Sequence, residues 1–248
     1  MCLAIYKPDG VEPDWEAYET GYINNPDGAG FAVADDGIIV RKGFFTFDDF
    51  KAALEPYASM QCAIHFRLTS HGKTNRQNCH PFLVRRDLAL IHNGVLDIEL
   101  SVNKDMSDTW HYSTLLLKPM SERDPQFFLR DEMIFVGGSA ISGSKFVFLQ
   151  GDGKHAIWNE QDGHWHGDCW WSNSSYKQAR WVTQFAAESR SIGDYLPSSK
   201  YENWLRGEAK WAYEDLLDEG WSAAELDAEI AMRGEESLIE LAEEWRHD

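Results

Sequence analysis

The run Leu90-Ile91-His92-Asn93-Gly94-Val95 sets an apolar stretch directly against an Asn-Gly pair. Leu88 to Ile91 reads as a buried strand, and Asn-Gly after a strand is a strong turn signal. Two readings of the pair stand side by side. One is a simple hairpin. The other is an oxyanion hole, with the Asn93 side-chain N–H and the Gly94 backbone N–H aimed at one developing negative oxygen. Each such donor is worth roughly 3 kcal/mol of barrier.

Working upstream, Cys62 to Phe66 reads as a second buried strand. It ends in Arg67 and a polar loop, and Thr69 to Cys79 is too rich in Ser, Asn, Gly and Lys for regular structure. Thr46 caps a helix carrying Phe50, Ala53, Leu54 and Tyr57 at helical spacing. Phe31–Ala34 and Ile38–Val40 flank Asp35-Asp36-Gly37 as a hairpin, and the cluster Asn24-Asn25-Pro26-Asp27-Gly28 is a turn ahead of it. Leu3 to Lys7 is a short strand. Downstream, Ser107 or Asp108 caps a helix with Tyr112, Leu115 and Leu116. Lys145–Leu149 and His155–Trp158 flank Gly151-Asp152-Gly153 as another hairpin, and Trp165 to Trp171 reads as one further strand.

Chemistry concentrates at four places. Cys2 acquires a thiol and a free α-amine on one residue once Met1 is trimmed, as methionine commonly is before a small residue. The amine has an ordinary pKa of about 7.7–8.0 and the thiol about 8.5, so the amine is a base for its own side chain near neutral pH. The bland alternative is a small buried hydrophobe. Arg67, at a strand end, suits a substrate carboxylate gripped by two parallel hydrogen bonds, or an ordinary ion pair. Asn93 and Gly94 are the oxyanion pair. Asp108 offers a carboxylate to a substrate ammonium, or a helix cap. Cys62 with His65, Cys79 with His80, and His164, His166 and Cys169 fit no closed four-ligand zinc spacing, so no metal is expected.

Taken in order, these pieces resemble the class II glutamine amidotransferases of the N-terminal-nucleophile type. The resemblance spans Cys2 to about Tyr176. It rests on Met1-Cys2-Leu3, Asp27-Gly28-Ala29-Gly30-Phe31-Ala32, the run from His65 through Gly72 and on to Asn78-Cys79-His80-Pro81-Phe82, His92-Asn93-Gly94, and Asp108-Thr109. It implies an α+β fold, an αββα four-layer sandwich with two antiparallel sheets between helices. It also implies roles. Cys2 attacks the glutamine carboxamide, Asn93 and Gly94 hold the oxyanion, Arg67 grips the α-carboxylate and Asp108 the α-amine. Ser70, His71 and Gly72 line the same pocket through backbone groups. The chemistry needs no cofactor. Leu68 and Ser70 stand where some members carry Trp and Thr.

The division expected is an amidotransferase domain over 1–178 and an acidic helical extension over 179–248. From Arg180 to Asp248 there are 17 acidic and 7 basic residues, a net −10 of the chain's −18. Leu205, Ala209, Ala212 and Leu216 form one helical stripe there. Ser222 and Glu225 form a capping box with Trp221 and Leu226 as a staple, and Leu238, Leu241, Ala242 and Trp245 form a last stripe. These ~70 residues are too few for a second catalytic core. The ammonia is therefore expected to pass to a separate synthase. The alternatives are an amidohydrolase of γ-glutamyl or other amides, and a non-catalytic relative that binds a partner. The charge of −18 repels phosphate backbones, and the longest basic cluster is Arg85-Arg86, so no nucleic-acid binding is expected. There is no basic leader with a long apolar run, no stretch near the ~18 apolar residues of a membrane span, and only four scattered cysteines. A reducing cytoplasm is the expected setting.

Overall fold

The computed structural model describes residues 2–69, 73–98 and 102–177, together with Ala212, Tyr213, Leu216, Leu226, Ile230, Arg233, Ser237 and Leu238. The chain divides into two compact units, Met1–Trp181 and Val182–Asp248. In the second, the eight described positions are helical, and Ala212 with Leu216 and Leu226 with Ile230 are buried one turn apart. The capping box at Ser222 and Glu225 and the stripe's end at Trp245 lie outside the described residues.

The first unit opens with β1 (Leu3–Lys7), α1 (Trp15–Asn24), β2 (Ala29–Ala34), β3 (Ile38–Phe44), α2 (Phe47–Leu54) and β4 (Cys62–Phe66). Strands β5 (Phe82–Arg85) and β6 (Leu88–Asn93) follow. Helix α3 (Asp108–Tyr112) runs through a π turn at Ser113–Leu117 into α4 (Lys118–Arg123), and α5 (Asp131–Ala140) comes next. The unit continues with β7 (Lys145–Gln150), β8 (His155–Trp158), β9 (His164–His166) and β10 (Cys169–Trp171). One sheet has six strands in the order β3-β2-β4-β1-β10-β9, the other four in the order β5-β6-β7-β8. Every pairing is antiparallel.

Side chains of a strand alternate between faces, and this period sets the layers. Ala4, Ala32 and Ala63 of the larger sheet meet Ala89, Ile91, Val147 and Leu149 of the smaller in one buried cluster. The opposite face of the larger sheet carries Phe31 and Phe66. Phe66 takes the edges of Tyr18 and Tyr22 from α1, at ring distances of 6.3 and 5.9 Å, and lies 5.0 Å from Phe50 of α2. The far face of the smaller sheet sends Leu90, Phe146, Phe148 and Trp158 against Leu117, Phe127, Phe128 and Ile141. The result is helices, sheet, sheet, helices: the four-layer α+β sandwich that the sequence implied.

Capping fixes the helix starts. Asp14 accepts from Ala17 N at 3.0 Å to open α1, and Thr46 accepts from Asp49 N at 3.2 Å to open α2 as expected. The expected single strand Trp165–Trp171 is corrected. Gly167 and Asp168 both take positive φ, +57° and +61°, and fold a two-residue turn between β9 and β10. Among the described residues no helix is long and apolar enough to cross a membrane.

Candidate active site

The start of β1, the end of β4 and the end of β6 come to one edge of the sandwich. Leu3 pairs with Phe66, which also pairs with Ala29, so Cys2 and Arg67 lie just beyond the same rung. Parity then aims the side chains. Cys2 shares the inner face with Ala4, and Asn93 shares it with Ile91. The two meet: Asn93 Nδ2 donates to the Cys2 carbonyl, and Asn173 Nδ2 donates to the same oxygen at 2.7 Å.

The Cys2 thiol sits 3.4 Å from both the backbone N–H and the carbonyl of Leu68. Burial pushes its pKa up, and the Leu68 N–H and the Arg67 guanidinium only partly oppose that. The resting group at neutral pH is therefore a thiol, and its use as a nucleophile requires a base. Arg67 is 4% exposed and held at both ends. Its backbone N–H donates to Gly28 O at 2.8 Å, its carbonyl accepts from Asp27 N at 2.9 Å, and Nη1 donates to Lys73 O at 2.9 Å.

Asp108 is the first residue of α3. The cap is Ser107, whose hydroxyl accepts from Trp110 N at 3.2 Å. The Asp108 carboxylate instead accepts from Leu96 N at 2.8 Å and Thr109 N at 2.7 Å. Cys2, Arg67, Gly94 and Asp108 line a single pocket, with His65, His80, His92 and Thr109 in its wall. Ser70, His71 and Gly72 lie outside the described residues.

The three histidines form a frame around the Asn-Gly turn. The His92 N–H donates to His80 Nδ1 at 3.1 Å, the His92 carbonyl accepts from His65 Nε2 at 3.0 Å, and His92 Nδ1 meets Thr109 Oγ1 at 2.8 Å. Burial pushes the His65 pKa down to about 3 and that of His92 to about 4. His80 falls well below its usual range for the same reason, with positive neighbours adding to it. All three are neutral at pH 7. Sequence reading assigned no task to these histidines and did not foresee that His80 and His65 hold the backbone N–H and carbonyl of His92.

Cys62 and His65, three apart on β4, fall on opposite faces of the sheet, and the Cys62 thiol donates to Met60 O at 3.3 Å. Among the described residues no three His, Cys, Asp or Glu side chains gather into a metal-ligand group.

Gly94 has φ of +147°, and a Cβ there would lie 2.1 Å from Ser144 Oγ and 2.7 Å from Ser144 Cα. Gly94→Ala is expected to lower stability by about 1–3 kcal/mol, through strain and a main-chain clash. Urea unfolding checks it, and an unchanged midpoint would show that the loop has room to spare.

Sequence reasoning missed Asn173 and gave Asn78 no role. Buried Asn78 donates to Lys73 O at 3.1 Å and Asp105 O at 2.7 Å and accepts from Ser107 N at 2.8 Å, tying the Arg67 loop to the start of α3. It stood inside a quoted motif, so its position was visible although its task was not.

A four-layer sandwich brings Cys2, Arg67, Asn93, Gly94 and Asp108 to one edge, and over part of its length the chain is similar in sequence to class II glutamine amidotransferases. Its relatives include the glutamine–fructose-6-phosphate aminotransferases (isomerizing) of Fusobacterium nucleatum subsp. nucleatum and Shewanella oneidensis. They are 30% identical to it over 104 and 92 residues, 40% and 36% of this chain. The chain spans only 17% and 15% of their lengths. Among solved structures, the glutamine phosphoribosylpyrophosphate amidotransferase from B. subtilis superposes with a TM-score of 0.47 at 19% identity, over 69% of this chain and 41% of that one. A structure described as the allosteric regulatory enzyme of purine biosynthesis gives 0.43 at 15% identity, with the same coverage. No protein-family model matches the chain.

Proposed function

We propose that the chain hydrolyses the side-chain amide of glutamine to glutamate and ammonia through a thioester on Cys2. The observation that carries this reading is the convergence of Cys2, Asn93, Gly94, Arg67 and Asp108 on one edge of the sandwich. Arg67 and Asp108 bind the α-carboxylate and α-ammonium of the amino acid and leave its amide at the sulfur. The α-amine of Cys2, exposed by loss of Met1, takes the thiol proton as sulfur attacks the carboxamide carbon. One N–H of the Asn93 amide is spent on the Cys2 carbonyl. The second, with Gly94 N–H, receives the oxyanion. The proton then passes to the departing nitrogen, ammonia leaves, and water attacks the thioester to release glutamate. Ser70, His71 and Gly72 complete the pocket wall in this scheme.

The ammonia goes to a synthase in trans, in a reducing cytoplasm that keeps the four thiols free. The chain divides functionally near residue 178, and the acidic extension is the recruiting element.

The test has two stages. Intact-mass spectrometry establishes that Met1 is gone. Glutamine and γ-glutamyl amines are then supplied, and glutamate and ammonia are measured. Glutamine is expected to be turned over, and Arg67→Ala to raise KM by about tenfold or more through loss of a charge-assisted grip. Preference for γ-glutamyl amines would move the assignment to that class. A trimmed protein that releases no glutamate and takes no acyl group at Cys2 would end the proposal.

A further inference from the structure

Strand pairing of β1 begins at Leu3, opposite Phe66. Cys2, one residue further out, lies beyond the ladder and has no strand pairing to hold it. Yet its carbonyl takes two side-chain amides, from Asn93 on β6 and from Asn173, which follows β10. The Asn173 amide is fixed in orientation, because its Oδ1 accepts from Ser175 N at 3.0 Å and so turns Nδ2 toward Cys2.

The segment around it is stitched down. Ser172 N donates to Ala4 O and Ala4 N to Ser172 Oγ, both at 2.9 Å. Ser175 Oγ accepts from Asn25 Nδ2 at 3.1 Å, and Ser175 O accepts from Asn24 Nδ2.

We propose that Asn173 is a positioning residue for the nucleophile: its amide extends the order of β1 by one residue and holds the Cα of Cys2 where thiol and α-nitrogen reach one substrate carbonyl. The inference rests on the role proposed above for Cys2. Misplacing a reacting group by an ångström costs on the order of 10²-fold in rate, and outer groups that orient a reacting one are commonly worth 10–100-fold.

Asn173→Asp separates this role from a merely local one. The carboxylate keeps the acceptor for Ser175 N–H, so the turn survives, but it faces the Cys2 carbonyl with an oxygen and no donor. Asn173→Ala removes both contacts. Both variants are expected to lower kcat for glutamine by about 30- to 100-fold with KM within about threefold. The pH–kcat profile of each should move as well, because thiol and amine no longer share one geometry. Thermal unfolding of the Asp variant should match wild type. An Asp variant within twofold of wild-type kcat would overturn the inference and leave the Cys2 reading standing. A wild type that releases no glutamate and takes no acyl group would remove both together.

Discussion

Cys2→Ala should reduce glutamate release by about 10⁴-fold or more while leaving glutamine bound with a Kd within about threefold of wild type. Removing the attacking atom takes away the whole covalent route, and losses of this order follow when a nucleophile is deleted. Binding is expected to be spared because, in the proposed scheme, the groups that grip the head of the substrate are elsewhere. Arg67 is anchored through Gly28, Asp27 and Lys73, and Asp108 through Leu96 and Thr109, and none of these contacts involves Cys2. Alanine is as small as cysteine, so any trimming of Met1 is expected to be the same in both proteins, and intact mass checks it. Calorimetric titration with glutamine beside a glutamate assay checks both halves. Residual turnover above one part in a hundred would mean another group attacks, and loss of binding would mean the clamps depend on the sulfur.

Acidification from pH 7 to pH 5 should destabilise the fold by about 2 kcal/mol for each of His65 and His92, with His80 acting in the same direction. Their folded pKa values lie below the unfolded value of about 6.5, at about 3 for His65, about 4 for His92 and well below the ordinary value for His80. In that window the unfolded chain binds protons that the folded chain refuses, so stability rises with pH. It is fully present above about 6.5 and is lost as pH falls toward the folded values. Asp108 favours the cation at His92, but burial outweighs it and Lys145 opposes it. A loss of about 4 kcal/mol from His65 and His92 alone is close to the whole stability of a marginal domain, about 5 kcal/mol. Urea midpoints at the two pH values measure it. An unchanged midpoint, or three histidine ring signals that all titrate near pH 6.5 in the folded protein, would contradict it.

The strands were the legible part of the fold. Cys62–Phe66 is apolar or small at almost every position, and turn residues bound the hairpins Ala29–Phe44 and Lys145–Trp158, so period and punctuation agreed. Helix α1 hid because its buried face is Ala17, Tyr18, Gly21 and Tyr22, with no leucine stripe. Helix α5 hid because Gly137-Gly138 reads as a break. The pair is there for fit: a Cβ on Gly137 would lie 2.1 Å from the Trp158 ring. Of the candidate site, Cys2, Arg67, Asn93, Gly94 and Asp108 stood out in the sequence as motifs in order, and the fold brings them together. Asn173 was not, because one asparagine in a Ser-rich run has no spacing that marks it. Its partner lies 171 positions away, and only the β1–β10 pairing brings the two together.

That separation orders events during synthesis. The first strand finds one neighbour when β4 emerges, but its other neighbour and the second amide on the Cys2 carbonyl arrive only with residues 169–173. At translation speeds of about 5–20 residues per second, the front of the chain stays bare for roughly ten to thirty seconds. In the proposed scheme that interval is when Met1 is removed, and a ribosome that stops early releases a chain whose Cys2 carbonyl lacks its second amide.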